Sequence, residues 1–277
     1  MSNLKQGFLS GITQEVIKDK DLDLQIRDNY LNIYYKGNSL LKLAESKDRT
    51  YIVEIHEKFL GSLQIKNLVD KKTTEEFINN IPAIKENIIE HGKSSLEIEY
   101  EQMIIRANNL ESRNNTEYFI VDRQYAINRE RIDLVGIYWD RSQRRKGQEA
   151  TLCFMEIKFA LNSDIKEVHK QLERYYKAIK PIAGDIAQEN EVILRQKIDL
   201  GLFNQPENRL DAMKTLSISN DIDKFQFILM LVDYNPNSKQ LNLDNLKNLP
   251  FSDQIKLFYS GFGMWKQNLI FLPNNDY

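Results

Sequence analysis

The segment from Arg131 to Lys158, RIDLVGIYWDRSQRRKGQEATLCFMEIK, carries the most informative pattern in the chain. Two apolar runs, each interrupted by charged residues, flank a polar and basic segment, so the pattern predicts two strands joined by a hairpin. Side chains alternate between the two faces of a strand, so Glu156 and Lys158 point the same way. Ionised groups in a buried strand are costly unless they are paired or bind a metal. Asp133, Glu156 and Lys158 are therefore candidates for a site that holds a divalent cation and a polarised water.

The composition is that of a globular protein: 277 residues, of which 42% are hydrophobic and 28% charged, with a net charge of -2. This balance argues against a protein that covers phosphates with bulk positive charge, but it allows a local basic groove. Cys153 is the one cysteine, which excludes an internal disulfide and fits a reducing compartment. No apolar run suits a membrane span or a signal peptide, so we expect a cytoplasmic protein with no membrane partner.

Residues 1–92 have the pattern of a separate β-rich domain with a short helix. Short β-prone runs alternate with turn residues at 22–26, 30–35, 40–44 and 51–55, which predicts an antiparallel meander. We expect the helix to begin near Thr74, capped by Thr73 or Thr74, and Pro82 either ends it, kinks it or begins the next helix. This domain is a candidate recognition module or binding site for a protein partner.

Residues 93–277 show the order helix, three strands, helix, strand. Helical periodicity covers 96–110, and strands are expected at 118–121, 131–138 and 151–159, with a hairpin loop at 140–148. Ser163 is expected to cap a helix that reaches Ile179, and another helix covers 186–200. The apolar run 225–232 predicts a central strand buried on both faces. A short helix at 253–259 and an edge strand at 269–272 complete the predicted elements.

Three motifs in this region resemble those of the PD-(D/E)XK nuclease superfamily. Asp133 matches the first acid of the family, and Glu156-Ile157-Lys158 matches its E-x-K motif. The segment from Gln171 to Tyr175 is similar to the Q-x-x-x-Y element of several branches. The resemblance runs from about Ser95 to Asp233, and no proline precedes Asp133, a departure that many members share. It implies an α/β fold with a restriction-endonuclease-like αβββαβ core and a mixed central sheet.

The resemblance also implies a reaction, the hydrolysis of phosphodiester bonds, with DNA as the expected substrate and Mg²⁺ or Mn²⁺ as the cofactor. Asp133 and Glu156 would bind the metal through carboxylate oxygens, and the backbone carbonyl of Ile157 would be a third ligand. Lys158 would orient the attacking water or stabilise the charge that develops on the phosphorane.

The helix that begins at Leu96 is similar to the family helix that supplies a further catalytic acid. We choose Glu99, because it shares a helix face with Gln102. Glu97 and Glu101 are the alternatives on the same helix.

Polar and basic side chains around these motifs are candidate contacts to the substrate. Gln171 is a candidate catalytic residue, because it shares a helix face with Tyr175 and can meet the scissile phosphate or Lys158. Arginines can neutralise phosphates, but a charged hairpin tip also serves solubility alone. The candidate nucleic-acid contacts are Arg131, Arg144, Arg145 and Tyr175.

The same residues have ordinary structural interpretations. Asp133 can accept backbone hydrogen bonds at the end of a strand, and Glu156 and Lys158 can form an ion pair on a solvated face. The alternative function is therefore a non-catalytic protein that retains the nuclease fold and binds nucleic acid or a partner. The resemblance to this family implies two further expectations, a homodimer and a role in defence or in a mobile element.

Overall fold

The computed structural model describes residues 2–27, 29–48, 50–93, 96–159 and 162–265. These residues form a mixed α/β structure with one antiparallel and one mixed sheet. The strands are β1 (Leu22–Ile26), β2 (Tyr30–Tyr35), β3 (Asn38–Glu45), β4 (Tyr51–Glu54), β5 (Asn67–Leu68), β6 (Tyr118–Ile127), β7 (Glu130–Tyr138), β8 (Glu149–Phe159), β9 (Ser217–Ile218), β10 (Gln226–Val232) and β11 (Ile255–Ser260). The α-helices are α1 (Ser2–Lys5), α2 (Ser10–Lys18), α3 (Glu57–Leu60), α4 (Lys71–His91), α5 (Leu96–Ile105), α6 (Val168–Ile179), α7 (Ala183–Asp199), α8 (Glu207–Met213) and α9 (Leu243–Lys247).

The first sheet is an antiparallel meander in the order β1-β2-β3-β4-β5, which confirms the expected topology of this region. Helix α4 covers it and begins earlier than expected. Its cap is Asp70 and not Thr73 or Thr74, because the Asp70 carboxylate accepts from the Thr73 N–H while the Thr73 hydroxyl accepts from the Asp70 N–H. Pro82 lies inside α4, which continues to His91. The apolar residues of α2 extend the same core, and this helix was not predicted.

The mixed sheet has the order β11-β10-β8-β7-β6. Strands β6, β7 and β8 are antiparallel, and β10 runs parallel to both β8 and β11, so β10 is a central strand as its apolar sequence predicted. The order helix, three strands, helix, strand is present as α5, β6, β7, β8, α6 and β10. Strand β6 is longer than expected because it continues through the charged residues Asp122 and Arg123.

Two helices differ in detail from the sequence expectation. Helix α5 ends at Ile105 and continues as one π-helical turn, Arg106–Leu110. Asn162, rather than Ser163, caps a 3-10 segment over Ser163–Glu167, and α6 begins after it. Both helices still pack against the mixed sheet where it carries Asp133 and Glu156.

The helix expected at 253–259 is wrong, since this segment contains a 3-10 turn followed by strand β11. Ile255, Leu257, Phe258 and Tyr259 have high β propensity, and the open edge of β10 supplies the backbone hydrogen bonds that decide between helix and strand. The edge strand expected at 269–272 lies outside the described residues.

The two sheets share a core. One continuous buried cluster contains Leu24 and Ile33 from the meander together with Phe154 and Phe227 from the mixed sheet. A smaller cluster, which includes Leu134 and Met155, lies on the opposite face of the mixed sheet under α5. Charged side chains that project from the sheet toward α5 and α6 are therefore surrounded mainly by apolar side chains. Among the described helices, none combines the length and the hydrophobicity that a membrane span requires.

Candidate functional site

The candidate site lies where strands β7 and β8 separate. Their paired residues run from Tyr138 and Thr151 to Leu134 and Met155, and the ladder stops there. Asp133 lies one residue beyond this last pair, directly before Leu134 in the chain, and its Oδ2 accepts a hydrogen bond of 2.8 Å from the backbone N–H of Ile157. The N–H and C=O of one strand residue point toward the same neighbouring strand, so the carbonyl of Ile157 faces the same gap. The structure thus brings Asp133 and the backbone of Ile157 together.

Glu156 and Lys158 lie on one face of β8 and form an ion pair with 2.5 Å between Nζ and Oε1. Both side chains are almost completely buried. Gln171 of α6 donates to the same Oε1 at 2.8 Å, and the hydroxyl of Tyr175 lies 2.6 Å from Oε2. Both oxygens of Glu156 are therefore held by side chains of β8 and α6.

Tyr175 is an internal residue and not a surface contact for nucleic acid, which corrects the sequence expectation. Only 1% of its surface is exposed. Its hydroxyl also lies 2.9 Å from the carbonyl oxygen of Arg131 and accepts from Gln171 at 2.6 Å. Tyr175 therefore ties the beginning of β7 to Glu156, and burial raises its pKa, which keeps the hydroxyl protonated as a donor.

The acid that α5 turns toward the site is Glu101 and not Glu99. Glu101 is 1% exposed and lies one turn before the buried Ile105, on the inward face. Glu99 is half-buried on another side of the helix, next to the position of Gln102, whose side chain bonds the backbone of Asp21. Helical spacing back from Ile105 was the signal that favoured Glu101.

Glu97 is half-buried, one helical turn before Glu101 in α5. Its Oε1 accepts from Asn162 at 3.2 Å, and its charge raises the pKa of Lys158. It is four residues before Glu101, so the two acids follow one face of α5.

Of the predicted arginine contacts, Arg131 is exposed beside the site, whereas Arg144 and Arg145 are remote from it. The loop that carries them follows Tyr138, five residues along β7 from Asp133, or about 17 Å at the usual rise per strand residue. Arg144 is held there by Asn115 and by the backbone of Thr116. The loop arginines therefore do not belong to this site, because a hairpin tip and its strand ends lie at opposite ends of the sheet.

The acids of the site repel one another. Burial raises the pKa of Asp133 well above its ordinary value, and the charges of Glu156 and Glu101 raise it further, against the opposing effects of the Ile157 N–H and of Lys158. Burial also raises the pKa of Glu101. Burial alone would lower the pKa of Lys158, but the surrounding carboxylates outweigh it and the Lys158 pKa is raised. The site therefore stabilises positive charge.

The donor set fits a hard divalent cation. Asp133, Glu156 and the carbonyl of Ile157 offer oxygen ligands, and a cation between the two carboxylates would offset the repulsion that raises the pKa of Asp133. Within the described ranges, no group of three or more His, Cys, Asp or Glu side chains is arranged to hold a metal ion. Two carboxylates with a carbonyl and waters are the ligand set that Mg²⁺ accepts.

Two residues of the site were missed in the sequence. Gln124 of β6 donates to Glu101 Oε1 at 2.6 Å and lies 3.5 Å from Asp133 Oδ1. Arg123, completely buried, donates to Glu101 Oε2. The signal was available in principle, since Arg123 interrupts an apolar strand just as Asp133 does.

Comparison with known proteins identifies no relative of this chain. No family model, no curated protein and no solved structure matches the chain. The function is therefore inferred from the residues of the site.

Proposed function

We propose that this protein is a metal-dependent nuclease of the PD-(D/E)XK type that hydrolyses phosphodiester bonds, with DNA as its substrate. The observation that carries the proposal is the convergence of Asp133, Glu156 and Lys158 at the point where β7 and β8 separate. The order of elements around this point, and its mixed sheet, agree with the restriction-endonuclease-like core that the motifs imply.

Each side chain of the site has a task in this reaction. Asp133, Glu156 and the Ile157 carbonyl would hold Mg²⁺ or Mn²⁺, which when bound supplies Lewis-acid activation of water and of the phosphodiester. Lys158 places a cation beside the carboxylates, where it stabilises the charge that builds up on the phosphate. Gln171 keeps Glu156 in place, and Arg131, which is exposed two residues before Asp133, can contact a phosphate.

One observation favours a second candidate, a non-catalytic protein that binds nucleic acid or a partner. Both oxygens of Glu156 already accept hydrogen bonds from protein side chains. A carboxylate so engaged can be a purely structural group. Cleavage assays separate the two candidates.

The test is cleavage of plasmid DNA, single-stranded DNA and RNA with Mg²⁺, with Mn²⁺ and with a chelator. We expect metal-dependent cleavage of DNA that Asp133→Asn and Lys158→Met each abolish. Asp211→Asn, a change of an exposed carboxylate on α8, is the matched control and should cleave normally. Cleavage that survives both site variants would contradict the mechanism. Metal-independent binding without cleavage of any substrate would support the second candidate.

A further inference from the structure

The first strand of the meander, β1, is an edge strand whose polar side is buried. All five residues of β1 are buried, including Asp23 and Gln25. These two side chains alternate with Leu22, Leu24 and Ile26, which belong to the hydrophobic core. Buried polar groups on a sheet edge need partners from elsewhere in the chain.

The partners come from the domain that holds the candidate site. Asp23 Oδ2 accepts from Arg123 of β6 at 3.3 Å, and Gln25 Oε1 accepts from Lys197 of α7 at 2.7 Å. Asp23 Oδ1 also accepts from Gln25 at 2.6 Å, which holds the carboxylate in place. The meander therefore meets the mixed sheet through a buried polar network, unlike a module joined by a flexible linker.

Arg123 carries this network to the acids of the site. Its guanidinium bridges two carboxylates, Asp23 on one side and Glu101 on the other, with 2.7 Å between Nη2 and Glu101 Oε2. The opposite oxygen of Glu101 accepts from Gln124, which also reaches Asp133. A continuous line of polar contacts thus joins Asp23 to Asp133.

The backbone of Gln124 is strained at this point. Its φ of 49° lies in the left-handed region, which costs a non-glycine residue about 1–2 kcal/mol. The paired residues on either side, Arg123 with Leu134 and Tyr125 with Ile132, place Gln124 directly opposite Asp133. A strained residue persists where its surroundings hold it, and here Glu101 and Asp133 do so.

We propose that Asp23 is a positioning residue for the candidate site, acting on Asp133 through Arg123, Glu101 and Gln124. The N-terminal meander is then a structural part of the site and not a separable recognition module. The catalytic meaning of this link rests on the proposed nuclease function, but the link itself is a property of the folded protein and can be measured without catalysis.

The experiment follows amide hydrogen exchange of the full chain by NMR at Ile157, whose N–H is bonded to Asp133. Asp23→Asn keeps the shape of the side chain and removes its charge. We expect Ile157 to exchange about tenfold faster, which corresponds to part of one hydrogen bond to a charged group. Exchange at Phe227, in the central strand, reports any general loss of stability and serves as the internal reference. Glu54→Gln, which removes an exposed carboxylate from the same meander, should change neither amide.

A second variant distinguishes positioning from a merely structural role. Gln124→Met breaks the link next to Asp133, so it should speed exchange at Ile157, and adding Asp23→Asn to it should cause little further change. In cleavage assays Asp23→Asn should lose about tenfold in rate and require more metal, because hydrogen-bonded partners that orient a metal ligand also affect metal affinity.

Two results would overturn the proposed link, and a third would retain it without the nuclease function. Unchanged exchange at Ile157 in Asp23→Asn, or additive effects of the two variants, would overturn the proposal. If the wild-type protein cleaves no substrate while Asp23→Asn still accelerates exchange at Ile157 and not at Phe227, the nuclease function fails and the positioning link stands.

Discussion

Lys197 offers a quantitative test of the polar network between the two sheets. Its side chain is 3% exposed, and its ammonium group donates a hydrogen bond of 2.7 Å to Gln25 Oε1. Burial lowers the pKa of Lys197 from 10.5 to about 8; Arg27 and Arg123 lower it as well, and Asp23 opposes them. Because one pH unit of pKa difference corresponds to 1.36 kcal/mol, the charged lysine costs the folded state roughly 3 kcal/mol.

The direction in which the free energy of unfolding changes with pH follows from proton binding at Lys197. Between pH 8 and 10.5 the unfolded chain binds a proton at Lys197 that the folded protein has released, so the free energy of unfolding rises with pH. We expect the free energy of unfolding of the wild type, relative to that of Lys197→Met, to increase by about 2–3 kcal/mol from pH 7 to pH 10. The loss of the bond to Gln25 affects Lys197→Met at every pH and cancels from this shift.

The assay is urea-induced unfolding at several pH values from 7 to 10, followed by circular dichroism. Lys72→Met, a change of an exposed lysine on α4, is the matched control and should follow the wild-type curve. If the stabilities of the wild type and Lys197→Met changed with pH in parallel, the prediction would be contradicted, because Lys197 would then titrate alike in the folded and unfolded states.

Three further predictions concern single side chains. Tyr175→Phe removes the buried hydroxyl beside Glu156, so we expect cleavage to fall by about tenfold in initial-rate assays and the free energy of unfolding to fall by about 1–3 kcal/mol. An unchanged cleavage rate would argue against a role in holding Glu156. Phe227→Ala leaves a cavity at a fully buried position in β10, so the free energy of unfolding measured in urea should fall by about 3–5 kcal/mol. A fall of less than about 1 kcal/mol would mean that Phe227 is not packed in the core. Gly37→Ala should lower the midpoint of thermal unfolding, because Gly37 has a φ of 73° and an added methyl group would collide with Ile98. An unchanged midpoint would contradict this turn conformation.

Much of the local structure was determined by the sequence itself. The alternation of β8 was sufficient to place Glu156 and Lys158 on one face, and the apolar run of β10 was sufficient to make it a central strand. These features depend on periodicity over a few residues, which the sequence displays directly.

Tertiary structure decided the features that depend on distant partners. Glu101 rather than Glu99 meets the site because Arg123 and Gln124 are there to pair with it. Segment 253–259 becomes a strand because β10 leaves an edge open, although its local pattern suggested a helix. Asp23 lies 100 residues before Arg123 in the chain, so its role is invisible until the two sheets pack. The local sequence pattern determines which segments form strands and which side chains share a face. The partner of a buried charge depends on the whole fold, because only packing brings such groups within hydrogen-bonding distance.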